Sequence, residues 1–536
     1  MKRDLITPKL HVGGRQFQLP IHDELVVDEF SCGGGMSEAI EQAIGRPVDI
    51  AVNHNSDACS MHEANHPQTK HYCADVFDVS PIDVTGDMAV GLLHMSPDCT
   101  DHSQAKGGQP RSAKLRGLAW IGVRWAGQKR PRVMTLENVK QIRNWGPLIA
   151  KRCKVTGRAI RLDGTVAAPG ERIPVEQQYL IPDPRRAGRT WKKFNQIIRS
   201  MGYITDDTLL CAADHDTATS RTRLFWVARC DGEPIVWPEP SHYKTPAVGQ
   251  KKWRPAHEHI DFSIPSKSIF TRARPLAEAT NKRIALGLKR YVLDNADPFI
   301  IELANWSREG VTSIHEPLRT ITAWPRGGSM AVVEPRLVAA FIDQANGGFN
   351  STPARDMRDP LSTITHTGSQ QRPVLAHLLH LRGNCAARDL KDPLHTISAA
   401  GQHHGLVEYH LAPEAEEGAL RCAAFLIRYY GSGGQWGDLR DPLATITTKD
   451  RLALVTVWIK GDPYVIVDIC LRMLVPRELY NISGFPPGYI IERGHDGRIF
   501  SKATQVSMCG NAVSPTLGKA VIKANYQPRQ RIASAA

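Results

Sequence analysis

The first half of the chain alternates short apolar runs with polar or glycine-rich stops. Leu25-Val26-Val27 leads into Asp28-Glu29-Phe30-Ser31-Cys32-Gly33-Gly34-Gly35, and Met36 to Ile44 follows with the period of an amphipathic helix. A strand, a glycine turn and a helix in that order predict the first unit of a doubly wound α/β sheet. The arrangement then recurs: Val48 to Val52 stops at Asn53-His54-Asn55, and the run at Tyr72-Cys73 stops at Asp75. Ala89 to Met95 stops at Cys99, and Arg132 to Leu136 stops at Glu137-Asn138. In an open parallel sheet the ligand crevice lies outside the carboxyl ends of the strands. Phe30, Gly33, Asp75, Cys99 and Glu137 are therefore expected around one cleft.

The second half follows a different pattern, an acid-Pro-Leu-x-Thr-Ile-Thr/Ser signature. It occurs at Glu316 to Thr322, Asp359 to Thr365, Asp392 to Ser398 and Asp441 to Thr447, with a degenerate copy at Pro275-Leu276. The starts are 43, 33 and 49 residues apart, too irregular for a strict solenoid. Acid and Pro predict a turn, Leu packs inward, and Thr-Ile-Thr alternates as a half-buried strand. Apolar runs precede the signatures, as at Phe341 to Gly348 and Phe425 to Gly434. Short polar loops follow them, at Trp324 to Gly328, Thr367 to Arg372 and Gly401 to His404.

Composition narrows the setting. A chain of 536 residues with 42% hydrophobic and 23% charged residues can bury two or more cores and is not a disordered chain. The 11 cysteines are scattered without a CxxC pair, so neither a disulfide framework nor a zinc site is suggested; no metal is expected. The opening residues MKRDLITPKLHVGG lack the apolar core of a signal peptide, and the expectation is a cytoplasmic protein without membrane attachment.

Charge adds a location. The chain carries +13, yet residues 101–200 alone hold 22 Lys or Arg against 6 Asp or Glu, leaving the rest slightly acidic. A basic segment directly after Cys99 suits a nucleic-acid polyanion, the alternative being a solvated face. Within it, residues 151–190 are rich in Arg, Gly and Pro and read as an inserted excursion before a helix at Trp191 to Met201. Most cysteines are inert small hydrophobes. One placed at a strand end after Ser96-Pro97-Asp98 and before a basic glycine loop, Ala105-Lys106-Gly107-Gly108, is a candidate nucleophile.

Six motifs stand in one order: Asp28-x-Phe30-x-x-Gly33-Gly34-Gly35, Pro97-x-Cys99, Glu137-Asn138-Val139, Arg221-x-Arg223, Arg477-Glu478 with Gly484-Phe485-Pro486, and Gly510 to Pro515. Together they resemble the DNA cytosine-5 methyltransferases, which use S-adenosylmethionine, over roughly residues 22–240 and 470–525. The wording around Cys99 is most similar to a branch common in phages and bacteria. The resemblance implies a doubly wound, Rossmann-like methyltransferase sheet over residues 22–240, with an insert at 151–190 and a return at 471–536. A largely β, repeat-containing target-recognition domain over 241–470 would interrupt it, its loops reaching base edges.

The resemblance also implies roles. Cys99 would add to carbon 6 of a flipped cytosine, Glu137 would serve ring nitrogen 3, and one of the catalytic pair Arg221 and Arg223, Arg221 by position, would hold the exocyclic oxygen. For the cofactor, Phe30 would stack on adenine and Asp75 would accept from its amino group. Asp28, Ser31, Gly33, Gly34, Gly35 and Pro97 would line the pocket, and Asn511 and Val513 would close its other side. Lys106, Arg111, Lys114 and Arg116 would meet DNA phosphates, joined by Arg124, Lys129, Arg130 and Arg132. The implied partner is double-stranded DNA, bound by a monomer, with a cognate restriction endonuclease left open.

Some positions depart from the family wording. Cys32 replaces the first glycine of the turn, Asp98 and Thr100 flank the thiol, and Thr219 stands where Gln often precedes the arginines. His54 occupies the place of the usual ribose-binding acid, with Asp57 as a candidate substitute. RNA cytosine methylation and a catalytically silent DNA-binding regulator remain as alternatives.

Overall fold

Five apolar runs form parallel strands: β1 (Glu24–Glu29), β2 (Ile50–Asn53), β3 (Lys70–Cys73), β4 (Ala89–Met95) and β5 (Val133–Asn138). A hairpin of β6 (Ile204–Cys211) and β7 (Thr222–Arg229) extends the sheet, β7 lying antiparallel to β5. The order is β3-β2-β1-β4-β5-β7-β6, so the direction of winding reverses between β1 and β4. This computed structural model describes residues 24–99, 101–102, 110–287, 298–302, 310–321, 330–339, 341–346, 369–380, 404–410, 421–422, 456–459 and 462–529.

Adjacent residues of the central strands feed opposite faces, because side chains alternate along a strand. Val27, Leu93 and Met134 pack on one side with Trp125 and Phe194, which come from α4 (Ile121–Gln128) and α5 (Arg189–Ser200). Val26, Leu92 and Val133 pack on the other with Met36 and Ile40 of α1 (Gly35–Ile44). Leu517, Val521 and Ile522 of α8 (Pro515–Asn525) complete that second face. Between these lie α2 (Ser56–Asn65), α3 (Pro81–Thr85), α6 (Pro476–Ile482) and α7 (Lys502–Asn511).

Packing against the carboxyl-terminal segment shapes the glycine turn. A Cβ on Gly34 would fall 2.1 Å from Tyr489 Oη, and one on Gly35 would fall 2.4 Å from the Val513 carbonyl. At Gly34 and Gly35 the turn makes room for the carboxyl-terminal segment. Gly35→Ala is expected to destabilise the fold by about 1–3 kcal/mol, as overpacking does, read as a lower midpoint in urea unfolding.

By contact, the chain divides into Met1–Ile260 with His315–Gly328 and Val475–Ala536, and Asp261–Ile314 with Ser329–Leu474. The second unit is antiparallel β among its described strands. Met330–Ala339 pairs Asp462–Met473 on one side and Phe299–Glu302 on the other, and Ser369–His380 is flanked by Phe341–Asn346 and His404–His410.

The repeats at Asp359 to Thr365, Asp392 to Ser398 and Asp441 to Thr447 lie outside the described residues, as do the loops Trp324 to Gly328 and Gly401 to His403. The first copy is described from Glu316 to Ile321 and falls in the first unit. It forms no strand there, contrary to the alternation of its sequence. Leu318 N–H donates to the Ala218 carbonyl at 2.6 Å and Leu318 C=O accepts from Ser220 N–H at 2.8 Å, so its backbone is spent on one parallel bridge. No helix among the described residues is long and apolar enough to cross a membrane.

Candidate active site

The parallel strands end at one edge, and the antiparallel β7 begins there. This places Phe30, Asn53, Asp75, Cys99 and Glu137 at strand exits and Arg221 and Arg223 at a strand entrance. The reversal of strand order between β1 and β4 opens the crevice between Phe30 and Pro97. Phe30 and Cys32 both adopt the left-handed region, with φ of 62° and 48°. Non-glycine residues rarely do so, and such strain gathers at functional sites.

The loop after β4 is tied down on both flanks. Ser96 N–H donates to the Glu29 carbonyl at 3.2 Å, and its hydroxyl donates to the Phe30 carbonyl at 3.2 Å. Asn138, fully buried, donates from Nδ2 to the Pro97 carbonyl at 2.9 Å. Asp101 accepts Ser112 N–H at 2.8 Å through Oδ1, and its carbonyl accepts Arg116 Nη1 at 2.9 Å. Asn138→Ala should cost about 1–3 kcal/mol, since it removes a buried hydrogen bond, and should lower turnover by loosening Pro97. Thermal melting and kcat measured together check both parts.

Around Cys99 the charges are close. Arg223 Nε lies 3.1 Å from Glu137 Oε1, and Arg221 Nη2 lies 3.8 Å from the same oxygen, all three side chains being largely buried. Neither approach has hydrogen-bond geometry. Glu137 Oε1, Arg221 Nε and Arg223 Nε are left buried without a hydrogen-bond partner. Burial pushes the Cys99 thiol above its ordinary value; Arg223 and Arg221 pull it down, while Glu137 and Asp98 push it further up. Burial and the neighbouring Arg223 lower Arg221 to about 10. Arg221 is also held in place, donating from Nη1 to the Gly510 carbonyl at 2.8 Å and to the Ile321 carbonyl at 3.4 Å.

At the β1 end, Asp28 is buried and accepts the Ser37 hydroxyl at 2.7 Å, and burial raises it to about 7. Asp28 therefore sits under the turn as a structural anchor. Ser31 is buried, its N–H bonded to the Val52 carbonyl at 3.1 Å. Gly33 is held by Tyr489, whose hydroxyl donates to its carbonyl at 2.6 Å. Phe30 is half-buried and Asp75 partly exposed. Asp75 meets Lys114 at 3.1 Å, an exposed pair of little strength. Asn511 is exposed beside the buried Val513.

The residues present fit the adenine end of S-adenosylmethionine: an apolar ring stands at the end of β1 and a carboxylate beyond the end of β3, with β2 between them. The ribose end is less well supplied. Asn53 Oδ1 accepts Asn55 N–H at 2.9 Å, and Asp57 pairs with Arg498 at 2.9 Å.

One expected phosphate contact, Arg116, is corrected, and the other basic residues are placed as follows. Arg116 is buried against the Asp101 carbonyl. Arg132 is held by Glu24 and Asp231, Arg124 by the Phe77 carbonyl and Lys129 by the Gly86 carbonyl. Lys114 is exposed, Arg111 is half-buried, and Lys106 lies outside the described residues. Sequence reasoning missed Tyr489, Asp101 and Arg498, whose importance arises from contacts between distant segments.

The sheet and its crevice define a Rossmann-like α/β protein. Residues 25–146 match the family described as C-5 cytosine-specific DNA methylase, so the resemblance read from the motifs holds for that segment. Among solved structures, the Dnmt2 methyltransferase of S. pombe is similar at 11% identity, covering 93% of this chain and 97% of that one with a TM-score of 0.41. A Spodoptera frugiperda DNMT2 mutant is similar at 13% identity, 94% and 99% coverage and a TM-score of 0.42. A putative DNA modification methyltransferase encoded within an E. coli prophage is similar at 15% identity, 94% and 98% coverage and a TM-score of 0.35. No curated protein sequence matches the chain.

Proposed function

We propose that the chain transfers a methyl group from S-adenosylmethionine to carbon 5 of a flipped cytosine in a specific duplex DNA sequence. The observation that carries this reading is the group of buried polar atoms beside Cys99, on Glu137, Arg221 and Arg223, which approach one another as ions but make no hydrogen bond. Such atoms need an occupant. A cytosine ring offers ring nitrogen 3 and an exocyclic oxygen to those groups while it presents carbon 6 to a thiolate.

Carbon 5 is a poor nucleophile until carbon 6 is attacked. The Cys99 thiolate forms a bond to carbon 6, and the electrons of the 5,6 double bond move to make carbon 5 nucleophilic. Glu137 donates a hydrogen bond or proton at nitrogen 3 as charge develops there, and Arg221 meets the exocyclic oxygen. Bound S-adenosylmethionine supplies the electrophilic methyl group, with Phe30 and Asp75 holding its adenine end. Loss of the carbon 5 proton to water then restores the 5,6 double bond, the Cys99 sulfur leaves as thiolate, and nitrogen 3 returns its proton to Glu137. Modification of host or phage DNA, in restriction-modification or anti-restriction, is the proposed setting.

Expression of the full chain followed by mapping of 5-methylcytosine tests the reading; the expected result is methylation in a fixed sequence context, and none above control overturns it. A duplex with 5-fluorocytosine at the mapped site should trap the protein covalently. A protein that binds DNA without being trapped is a binding module.

A further inference from the structure

The insert after β5 carries charge that the fold leaves unneutralised. Residues 151–193 hold eleven Lys or Arg against four Asp or Glu. Two of those acids are matched internally, Glu171 with Arg161 and Asp183 with Arg186. Lys154, Arg172, Arg189, Lys192 and Lys193 are exposed, and among the described residues none of them has an ion-pair partner.

The insert is folded without a hydrophobic reason of its own. Its buried apolar residues before α5 are Ala167 and Ile173, whereas Val155, Leu162 and Val175 are exposed. Backbone hydrogen bonds hold it: Lys151 N–H to the Tyr179 carbonyl at 2.7 Å, Tyr179 N–H to Ile160 at 2.9 Å and Ala167 N–H to Ala159 at 2.9 Å. A small β platform fixed through its backbone leaves its cationic side chains available to something outside the chain.

Its foot lies at the catalytic loop. Leu148–Ala150 pairs Leu180–Pro182 in a two-stranded ribbon, and the Leu180 carbonyl accepts Arg111 N–H at 2.9 Å. Arg111 adjoins Ser112, whose N–H is bound by Asp101, two residues beyond Cys99. The basic platform is therefore bonded to the stretch that carries the chain away from the nucleophile.

We infer that residues 151–193 form an arm that tracks the phosphate backbone of duplex DNA outward from the Cys99 loop. The inference rests on the cytosine-5 methyltransferase reading of the site. Contacts to phosphates set position and affinity without reading sequence, and each one releases counterions, so that log affinity falls with log salt by about 0.9 per phosphate.

Two triple variants of the full chain test it: Lys154→Gln with Arg158→Gln and Arg172→Gln, and Arg189→Gln with Lys192→Gln and Lys193→Gln. Each should reduce the salt slope of binding to a duplex containing the mapped site by about 2–3 and weaken affinity about tenfold or more at physiological salt. Turnover at saturating DNA should be unchanged. In the unaltered protein, duplex DNA should protect Lys154, Lys192 and Lys193 from acetylation. Unchanged slopes in both variants, or lysines that stay unprotected while the protein binds and methylates DNA, overturn the arm and leave the enzyme reading standing. A protein that makes no 5-methylcytosine overturns the enzyme reading, and tighter binding to duplex RNA than to duplex DNA overturns the arm.

Discussion

Cys99→Ser is expected to reduce methyl transfer by roughly 10⁴-fold or more, the scale on which loss of a covalent nucleophile is felt. A hydroxyl at this position is a far weaker nucleophile toward carbon 6, and the neighbours do not compensate. Arg221 and Arg223 face Glu137 and stabilise an anion, but a serine hydroxyl holds its proton far more tightly than a thiol does. The variant should still bind duplex DNA, because Cys99 is not a phosphate contact, and it should fail to be trapped by 5-fluorocytosine. Full methylation by Cys99→Ser would remove the nucleophile assignment. The free thiol supplies a second readout. Since burial holds it above the ordinary range, its alkylation by iodoacetamide should rise with pH through that range and level off only beyond it, the thiolate being the reactive form.

The sheet was legible because its strands are buried on both faces and read as continuous apolar runs with polar exits. Val26-Val27, Leu92-Leu93 and Val133-Met134 each serve two cores, which only a central parallel strand does. Cys99, Glu137, Arg221 and Arg223 were legible through ordered motifs, and their convergence follows from β7 running antiparallel to β5. What the sequence hid depends on distant contacts. Nothing local announces that Gly34 and Gly35 are required by Tyr489 and Val513, or that Arg116 turns inward to the Asp101 carbonyl. The first Pro-Leu-x-Thr-Ile copy misled for a related reason: its alternation suits a strand, but the backbone at Ala218 and Ser220 claims Leu318 first.

Glu137→Gln is expected to slow methyl transfer by about 10²–10⁴-fold, because an amide can hydrogen-bond to ring nitrogen 3 but cannot pass it a proton. The same change should act on Cys99 in the opposite sense. Glu137 is one of the charges that push the thiol up, and removing it leaves only Asp98 among those charges to oppose Arg221 and Arg223. At a fixed pH near neutrality the variant should therefore be alkylated faster at Cys99 while methylating more slowly. Arg223→Gln reverses the first effect: with the nearest cation gone, the thiol rises and alkylation slows. Both variants leave a buried charge with one partner fewer, so melting temperatures must stay above the assay temperature; breaking such pairs costs about 3–5 kcal/mol. Proteins that have merely lost structure would both alkylate at the rate of an ordinary exposed cysteine. Opposite displacements in Glu137→Gln and Arg223→Gln, each with reduced methylation, follow only if the carboxylate and the guanidinium act on the same thiol and the same base. Displacement of both rates in one direction would separate Glu137 from the chemistry at Cys99.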